Sequence, residues 1–191
     1  MSHVGERSDK SDRFLLSSVR RVLDRDDITR AIRRISHEVV EHNRGIDDLL
    51  LVSIERGGRW LADEIAAVLR EIGARNVLVV PLDVSEYRDD RTGAVRPSIR
   101  SEDRALLDQK RVIVVDDVLY TGRTVRACLD AIMSAGRPSV IQLAVLVDRG
   151  HRELPIRADY VGKNLPTSRR EIVLASREGV EIGQLEGEAA R

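Results

Sequence analysis

The sequence predicts an α/β fold in which helices flank a mainly parallel sheet. Over residues 46–147, short apolar runs alternate with segments of helical periodicity, a pattern typical of such folds. The apolar run at residues 112–115 is β-branched throughout, which indicates a central strand buried on both faces. From residue 148 the alternation stops, and apolar stretches around Tyr160, Ile172 and Val180 predict a small hood of short strands.

The N-terminal region predicts a tail, an edge strand and a helix. Residues 1–13 are polar and aperiodic, so we expect a disordered tail before a single domain at residues 14–191. Residues 19–23 are compatible with a short edge strand. Asp26 or Asp27 is suited to cap the helix that follows. This helix has an apolar face at helical spacing, formed by Ile28, Ile32, Ile35 and Val39.

The next segment predicts two strands, a helix and a long loop. Residues 49–54 indicate a central strand, and the polar loop at residues 55–58 follows it. A helix with apolar periodicity then ends at Gly73, and residues 77–82 indicate a further strand. Residues 84–108 are charged and nearly without apolar periodicity. A segment of this length is typical of either a functional lid or a disordered insert.

The central strand at residues 112–115 leads into one more helix and strand. Residues 140–147 form an apolar run that predicts the strand. These elements place the sheet core at residues 20–147 and the hood at residues 148–185, both bounds being approximate. The apolar positions at helical spacing in the helix are Val125, Leu129 and Ile132.

The amino-acid composition limits the classes of protein to which this chain can belong. The chain has 191 residues, of which 42% are hydrophobic and 34% charged, a balance typical of a soluble globular domain. No apolar run approaches the roughly 20 residues of a membrane span, and the N-terminus lacks the apolar segment of a signal peptide. We therefore expect a cytoplasmic protein without a membrane partner. The net charge of zero excludes a general polycation, and the lone Cys128 has no disulfide partner.

Two adjacent carboxylates, Asp116 and Asp117, directly follow the central strand. A turn at Thr121 and Gly122 comes next, at the start of a predicted helix. Backbone N–H groups at a helix N-terminus lack partners and favour phosphate, and the hydroxyl groups of Thr121 and Thr124 add donors. The carboxylates are better suited to ribose hydroxyl groups, with Mg²⁺ nearby. For an isolated Asp-Asp pair, an acidic strand end and a helix cap would be the simpler interpretation.

The whole run of residues 112–124 resembles the site for 5-phosphoribosyl-1-pyrophosphate (PRPP) in type I phosphoribosyltransferases. In parallel sheets, ligands bind beyond the carboxyl ends of the strands. Three strand-end loops would therefore converge at one edge of the sheet: residues 55–58, 85–90 and 116–124. The position of these loops and the motif predict the same site.

Several longer segments resemble one family within that class, the PyrR family of bacterial pyrimidine-operon attenuation regulators that are also uracil phosphoribosyltransferases. Residues 142–168 are the most specific match, because ordinary phosphoribosyltransferases share the PRPP loop but not this hood. The resemblance covers roughly residues 20–175. It implies a type I phosphoribosyltransferase-like parallel sheet flanked by helices, with a small hood subdomain and a long flexible loop. The similar segments are residues 32–40, 87–90, 116–126, 136–139 and 142–168.

The resemblance implies that the protein converts uracil and PRPP to UMP and diphosphate. Mg²⁺ would come with PRPP near Asp116 and Asp117, and no site made by the protein alone is expected to hold a metal. The catalytic residues would be Asp116, Asp117 and Arg88, and the base would be held by Arg149 and Ile172. The phosphate of PRPP would be bound by Val118, Leu119, Tyr120, Thr121, Gly122, Arg123 and Thr124. The diphosphate loop would be Glu55, Arg56, Gly57 and Gly58.

A basic face is the second implication of the resemblance. In the PyrR family this face binds a stem-loop of the pyrimidine-operon leader mRNA, and UMP or UTP favours the bound state. Arginine suits RNA because it contacts phosphates with two N–H groups and stacks on unpaired bases. The alternative is a solvated surface with internal ion pairs. The family also implies a homodimer or tetramer. The residues of the implied face are Arg33, Arg34, His37, His151, Arg152, Arg157 and Lys163.

One position departs from the family. Its members usually show Thr-Arg-Gly in the diphosphate loop, whereas this chain has Arg56, Gly57 and Gly58. Two alternatives therefore stay open: a regulator with impaired transferase activity, and an enzyme that has lost its regulatory RNA. A purine or orotate transferase is a third. Tyr120 disfavours purines, because purine transferases of this type often carry an acid there and tyrosine, with a pKa of about 10, is a poor base.

Overall fold

The structure, a computed structural model, describes residues 16–55, 57–74, 76–84, 99 and 105–185. The predicted tail at residues 1–13 and most of the predicted loop at residues 84–108 lie outside the described residues. Within the described part, no helix is both long and apolar enough to cross a membrane. The elements, in chain order, are β1 (Leu16–Asp24), α1 (Arg25–His42), β2 (Leu49–Ile54), α2 (Gly58–Ile72), β3 (Leu78–Leu82), β4 (Arg111–Leu119), α3 (Arg123–Ala135), β5 (Val140–Asp148), β6 (Tyr160–Asn164), β7 (Glu171–Ser176) and β8 (Gly179–Leu185).

Five parallel strands form the central sheet, in the order β3-β2-β4-β5-β6. The prediction of a parallel sheet flanked by helices is confirmed. The strand around Tyr160 was assigned to the hood, and this was wrong: β6 is the fifth strand of the central sheet. Its crossover from β5, residues 149–159, contains no helix. The strand–helix alternation therefore gave no sign that the sheet continues.

A second, antiparallel sheet has the order β1-β8-β7. β1 comes from the N-terminal region and the other two strands from the C-terminal region, so the hood requires both. Leu23 of β1 and the β8 residues Val180 and Ile182 are buried in the same core as α1 and α2. The hood is thus packed firmly on the central sheet.

Two apolar layers cover the faces of the central sheet. Ile113 and Val115 of β4 pack with α1 and α2, whereas Val112 and Val114 pack with α3 on the other face. All four side chains are fully buried, as expected because successive side chains of a strand point to opposite faces. Burial of each such side chain is worth about 1.5–3 kcal/mol. β4 is therefore held from both sides, and this fixes the residues at its carboxyl end.

α1 begins earlier than the sequence suggested. The N–H of Asp27 donates to Asp24 Oδ1 at 2.8 Å, and the N–H of Asp24 donates to Asp27 Oδ2 at 3.1 Å. This reciprocal pair is a capping box in which Asp24 is the N-cap residue. Asp27, one of the two predicted caps, is instead the third helical residue, and its side chain completes the box.

Candidate active site

The carboxyl ends of β2 and β4 and the N-termini of α2 and α3 lie at one edge of the central sheet. α2 begins at Gly58, shortly after β2, and α3 begins at Arg123, shortly after β4. The N-cap residues, Gly57 and Gly122, have no side chain that could cap these helices. At α3, the N–H of Arg123 makes a long hydrogen bond of 3.4 Å to Thr121 Oγ1. Helix N-termini carry a partial positive charge and favour anions. This edge therefore offers two positions for phosphate groups.

Asp116 and Asp117 lie within β4, which extends to Leu119, and not after the strand as predicted. Asp116 is only 7% exposed. Its Oδ1 accepts a hydrogen bond from the N–H of Asp117 at 3.0 Å, and Asp117 Oδ1 accepts one from the N–H of Val118 at 2.7 Å. The backbone thus holds both carboxyl groups in place at the end of the buried strand.

Burial changes the protonation of this acid pair. Loss of water raises the pKa of Asp116 well above its ordinary value, and the charge of Asp117 raises it further. Burial also raises the pKa of Asp117, although the N–H of Val118 favours its ionised form. The pair therefore retains a proton more readily than two exposed carboxylates, and it can both donate to and accept from hydroxyl groups.

The loop between β2 and α2 passes so close to β4 that two glycines are required. A Cβ atom at Gly57 would lie 2.7 Å from Cγ of Asp117, and one at Gly58 would lie 2.9 Å from the carbonyl carbon of Val115. Real Cβ atoms do not approach other atoms this closely. The glycines bring the start of α2 against the acid pair. Both glycines were predicted to belong to the diphosphate loop, but their contact with β4 could not be foreseen from the sequence.

The turn between β4 and α3 is held through its carbonyl groups. The carbonyl of Leu119 accepts a hydrogen bond from the N–H of Arg149 at 3.1 Å. The carbonyl of Thr121 accepts two, from the N–H groups of Glu153 at 3.0 Å and Leu154 at 3.3 Å. These donors belong to the crossover that follows β5. The crossover therefore fixes one side of the turn.

The N–H groups of the same turn are open. Gly122 has a φ of 91°, a left-handed conformation that glycine adopts without strain. Its carbonyl accepts the N–H of Arg126 at 2.9 Å, which starts α3. Among the described residues, no hydrogen bond is donated by the N–H groups of Tyr120, Thr121 or Gly122. Three consecutive donors are therefore available to an anion beside the acid pair.

Arg149 and Tyr120 form a stacked pair next to this turn. Arg149 is 6% exposed, and its guanidinium carbon lies 4.1 Å from the centre of the Tyr120 ring. Desolvation lowers the pKa of Arg149, yet arginine keeps its charge in proteins. Stacking of a desolvated cation on an aromatic ring is worth about 2 kcal/mol. Tyr120 was predicted to belong to the phosphate site and Arg149 to the base site, and nothing in the sequence indicated that they stack.

The hood holds the Arg149 guanidinium in one orientation. Nε donates to Thr167 Oγ1 at 3.0 Å, and Nη2 donates to the carbonyl groups of Ser168 and Glu171 at 2.9 and 2.8 Å. Ile172, the other predicted base-binding residue, follows Glu171 in β7 and is half-buried. The structure thus brings Arg149 and the β7 segment that contains Ile172 together.

Basic residues of α1 meet β6 at the outer edge of the central sheet. Arg34 Nη2 donates to the carbonyl of Val161 at 3.1 Å and also to the carbonyl of Gly162. Arg33 forms an ion pair with Glu71 at 3.3 Å, in which both side chains are more than half exposed. Such exposed pairs contribute only about 0–1 kcal/mol, so Arg33 can exchange its partner at little cost.

Lys163 and Arg157 lie on the other side of β6. Val161 packs with the α3 layer, and alternation along the strand places Lys163 on that same side. Arg157 is exposed and lines a cavity of about 230 Å³ together with Leu129 of α3. Five of the exposed basic residues lie on α1, the crossover and β6, and within the described part of the chain only Arg34 of α1 is hydrogen-bonded to β6. We call this set the basic edge: Arg33, Arg34, His37, Arg157 and Lys163.

His151 and Arg152 were predicted to face RNA, but the structure turns both inward. His151 Nε2 contacts the carbonyl of Thr167, and its ring lies edge-on to Tyr120 with 6.1 Å between ring centres. Arg152 pairs with Asp148, and its side chain is only 21% exposed. Both residues therefore belong to the surroundings of the turn and not to the basic edge.

A buried polar trio fixes α1 to β5 and β6. Asn43 Nδ2 donates to Gln142 Oε1 at 2.9 Å and to the Tyr160 hydroxyl at 3.1 Å, and that hydroxyl donates to Gln142 Oε1 at 3.1 Å. None of the three residues is more than 7% exposed. Burial raises the pKa of Tyr160 to about 12, so the hydroxyl stays neutral. No local pattern marks this trio, because its members are far apart in sequence.

Most of the predicted site residues are described, but Arg56 and Arg88 lie outside the described residues. Within the described part, no three His, Cys, Asp or Glu side chains come together as a metal site. Asp116 and Asp117 could supply oxygen ligands to a metal that arrives with a bound ligand.

Comparisons with known proteins agree with this geometry. A family model for the phosphoribosyl transferase domain matches residues 18–175. The hypoxanthine phosphoribosyltransferase of Trypanosoma cruzi has a TM-score of 0.69 at 20% identity, over 87% of this chain and 97% of that chain. The enzyme of Staphylococcus aureus has a TM-score of 0.64 at 19% identity, over 88% and 93%. These likenesses show the fold alone; together with the family match, they define a phosphoribosyltransferase of the type I fold.

Similar proteins of known family indicate which kind of phosphoribosyltransferase this chain is. The bifunctional protein PyrR of Pelotomaculum thermopropionicum is 53% identical over 169 residues, which are 87% of this chain and 91% of the relative. The bifunctional protein PyrR of Deinococcus radiodurans is 50% identical over 169 residues, 86% and 92% of the two chains. The chain belongs to the PyrR family. The family predicted from the sequence, which combines pyrimidine regulation with uracil phosphoribosyltransferase activity, is therefore confirmed.

Proposed function

We propose that this chain transfers the phosphoribosyl group of PRPP to uracil at the end of β4, and that its nucleotide-bound form binds pyrimidine-operon leader RNA through the basic edge. The observation that carries the proposal is the turn at residues 120–122, whose three N–H groups are open beside a buried acid pair. A sugar phosphate requires these two kinds of group at adjacent positions.

The turn supplies the site for the 5-phosphate. The N–H groups of Tyr120, Thr121 and Gly122 would donate to its oxygens, and the N-terminus of α3 adds a partial charge of about +0.5. The hydroxyl groups of Thr121 and Thr124, both half-buried, add donors. Arg123 Nε instead donates to Glu153 Oε2 at 2.7 Å. We therefore expect the main role of this side chain to be a link between the turn and the crossover, and not phosphate binding.

Asp116 and Asp117 fit the ribose hydroxyl groups and a Mg²⁺ ion that PRPP carries. Their buried carboxyl groups have raised pKa values, so a nearby divalent cation would favour the ionised form. Mg²⁺ prefers oxygen ligands and usually keeps contacts with substrate phosphates. When bound, it would supply charge neutralisation for the diphosphate. The diphosphate itself would meet Gly57 and Gly58 at the N-terminus of α2.

Arg149 and Tyr120 would orient the base. Among the described residues, Nη1 of Arg149 donates no hydrogen bond, so it can donate to a uracil carbonyl, with Ile172 beside the ring. In the transfer, N1 of uracil bonds to C1′ as the C1′–diphosphate bond breaks, and N1 loses its proton. That proton passes to the leaving diphosphate or to water, so the step requires no side chain as a base. Positioning and charge stabilisation would therefore supply most of the catalysis.

The basic edge would bind RNA phosphates. Such contacts release counterions, so we expect affinity to fall steeply as salt concentration rises. β5 connects the two sites, because Gln142 near its start contacts α1 and Asp148 at its end contacts the turn through Arg152. A homodimer or tetramer would extend the basic edge into a longer surface. A cytoplasmic location would give access to PRPP, uracil and mRNA.

Conversion of radiolabelled uracil in the presence of PRPP and Mg²⁺ tests the enzyme. We expect UMP from the wild type and at least tenfold less from Asp117→Asn, which removes a charge at the ribose. No UMP above background would leave a regulator without transferase activity. Competition by hypoxanthine or orotate would identify a different base.

A gel shift with the chain's own leader RNA tests the regulator. We expect UMP to tighten binding of the wild type, whereas binding without nucleotide should be the same for Asp117→Asn. The absence of any shift would leave an enzyme without a regulatory RNA. Equal loss of RNA binding and transfer in Asp117→Asn would contradict separate sites.

A further inference from the structure

Arg152 uses its whole guanidinium group inside the protein. Nη2 pairs with the carboxylate of Asp148, and the two side chains are only 21% and 20% exposed. Nη1 donates three hydrogen bonds, at 3.3, 2.5 and 3.2 Å, and Nε donates one at 2.9 Å. The acceptors, in that order, are the carbonyl groups of Leu119, Tyr120, Gly150 and Ile156.

Two of these acceptors belong to the proposed phosphate turn. In a trans peptide unit the C=O and N–H groups point in opposite directions, and the described chain contains no cis peptide bond. Arg152 binds the carbonyls of Leu119 and Tyr120, and the crossover backbone binds that of Thr121. The N–H groups of the residues that follow each carbonyl therefore point away from the crossover. Three consecutive donors then face one side, an arrangement that binds anions.

We propose that Arg152 is a positioning residue for the phosphate site. It fixes the peptide groups of the turn so that their N–H donors meet the 5-phosphate of PRPP or UMP. This role rests on the proposed function of the turn. It also extends that function, because Arg152, which was expected to contact RNA, is now assigned to the nucleotide site.

Arginine suits this role and lysine does not. The guanidinium is a planar fork that binds several acceptors in fixed directions, whereas the lysine ammonium acts as a single point charge. Asp148 orients the fork from one side, and its Oδ1 also accepts the N–H of Gly150 at 3.0 Å. Arg152→Lys can keep the ion pair with Asp148 but loses the carbonyl contacts to the turn. The substitution therefore removes the positioning while it retains the charge.

Steady-state kinetics and calorimetric titration with UMP test the proposal on Arg152→Lys. We expect KM for PRPP and Kd for UMP to rise together, at least tenfold, while kcat changes less than threefold. Donors that are not aligned weaken phosphate binding, whereas a folding defect lowers the active fraction, and hence kcat, without raising KM. Arg137→Gln is the control, because this exposed arginine precedes β5 at the opposite end of the sheet. Its constants should equal those of the wild type.

The experiment distinguishes an error in the positioning role of Arg152 from an error in the proposed function. If Arg152→Lys is folded by circular dichroism and its KM and Kd are those of the wild type, the positioning role is wrong. If it does not fold, Asp148→Asn gives the same test, since it keeps the shape but removes the charge that orients Arg152. Unchanged constants in that variant would overturn the proposal. A wild-type protein that binds neither PRPP nor UMP would instead refute the proposed function.

Discussion

Alanine at Gly58 should destabilise the fold, whereas alanine at the adjacent Gly57 should mainly disable the site. At Gly58 the added Cβ would lie 2.9 Å from the carbonyl carbon of Val115. That carbonyl is backbone of β4, which cannot move without disturbing both apolar layers, so the start of α2 must move instead. Overpacking of this kind costs about 1–3 kcal/mol. Each kcal/mol lowers Tm by roughly 2–4 °C in a chain of this size.

At Gly57 the obstacle is a side chain. The added Cβ would lie 2.7 Å from Cγ of Asp117, and this half-buried carboxyl group would have to rotate away from the N–H of Val118. The rotation costs about 0.5–1.5 kcal/mol if it leaves a staggered conformation, so Tm should fall by only a few degrees. Displacement of the carboxylate from the ribose should be far more serious, because a misplacement of about 1 Å can cost about 100-fold in rate.

Thermal melts and uracil conversion on the two variants separate these effects. We expect Gly58→Ala to have the lower Tm of the two, and Gly57→Ala to have a Tm near that of the wild type with kcat/KM for PRPP reduced by tenfold or more. Each variant is the matched control of the other. A Gly57→Ala protein with full activity, or a Gly58→Ala protein with an unchanged Tm, would refute the close contact between the start of α2 and β4.

Three further predictions concern the acid pair, the buried trio and the basic edge. Because burial raises the pKa of Asp116, this side chain binds more protons in the folded than in the unfolded state above about pH 4, and its contribution to stability falls as pH rises through that range. Asp116→Asn should therefore raise Tm relative to the wild type at pH 7 but not near pH 3; the same difference in Tm at both pH values would contradict the buried charge. Tyr160→Phe should lower the free energy of unfolding in urea by about 1–3 kcal/mol, because two buried amides lose a partner. Arg34→Gln should weaken the leader-RNA gel shift and leave uracil conversion unchanged, since its contacts are with β6; a parallel loss of both would contradict the separation of the two sites.

Most of the central sheet was predictable from the sequence, because a short, continuous apolar run indicates a strand that is buried on both faces. The run at residues 112–115 is a clear case, since both apolar layers depend on it. The same reasoning missed β6, whose crossover has no helix. It also did not find the partner of β1, because that strand pairs with β8, which is separated from it by most of the chain. Pairing at such a distance leaves no local pattern.

The parts of the candidate site that are adjacent in sequence were predictable. The parts that come together only through packing of distant segments were not. The acid pair and the Thr-Gly turn are adjacent in sequence, so their position at the end of β4 could be foreseen. The inward turn of Arg152 could not, because a basic residue in a polar segment has the same pattern whether it meets solvent or backbone carbonyls. The stack of Arg149 on Tyr120 likewise joins residues from different elements.

The pairing of β1 with β8 has a consequence for biosynthesis. Its register joins Leu23 to Val180, so β1 must wait for β8, which is synthesised more than 150 residues later. The partners of β2, β4 and β5 emerge much sooner, and the nucleotide-facing turn can take shape while translation continues. The antiparallel sheet can close only after β8 has been synthesised. A nascent chain would thus form the turn at residues 120–122 before the antiparallel sheet beside Arg149 is complete.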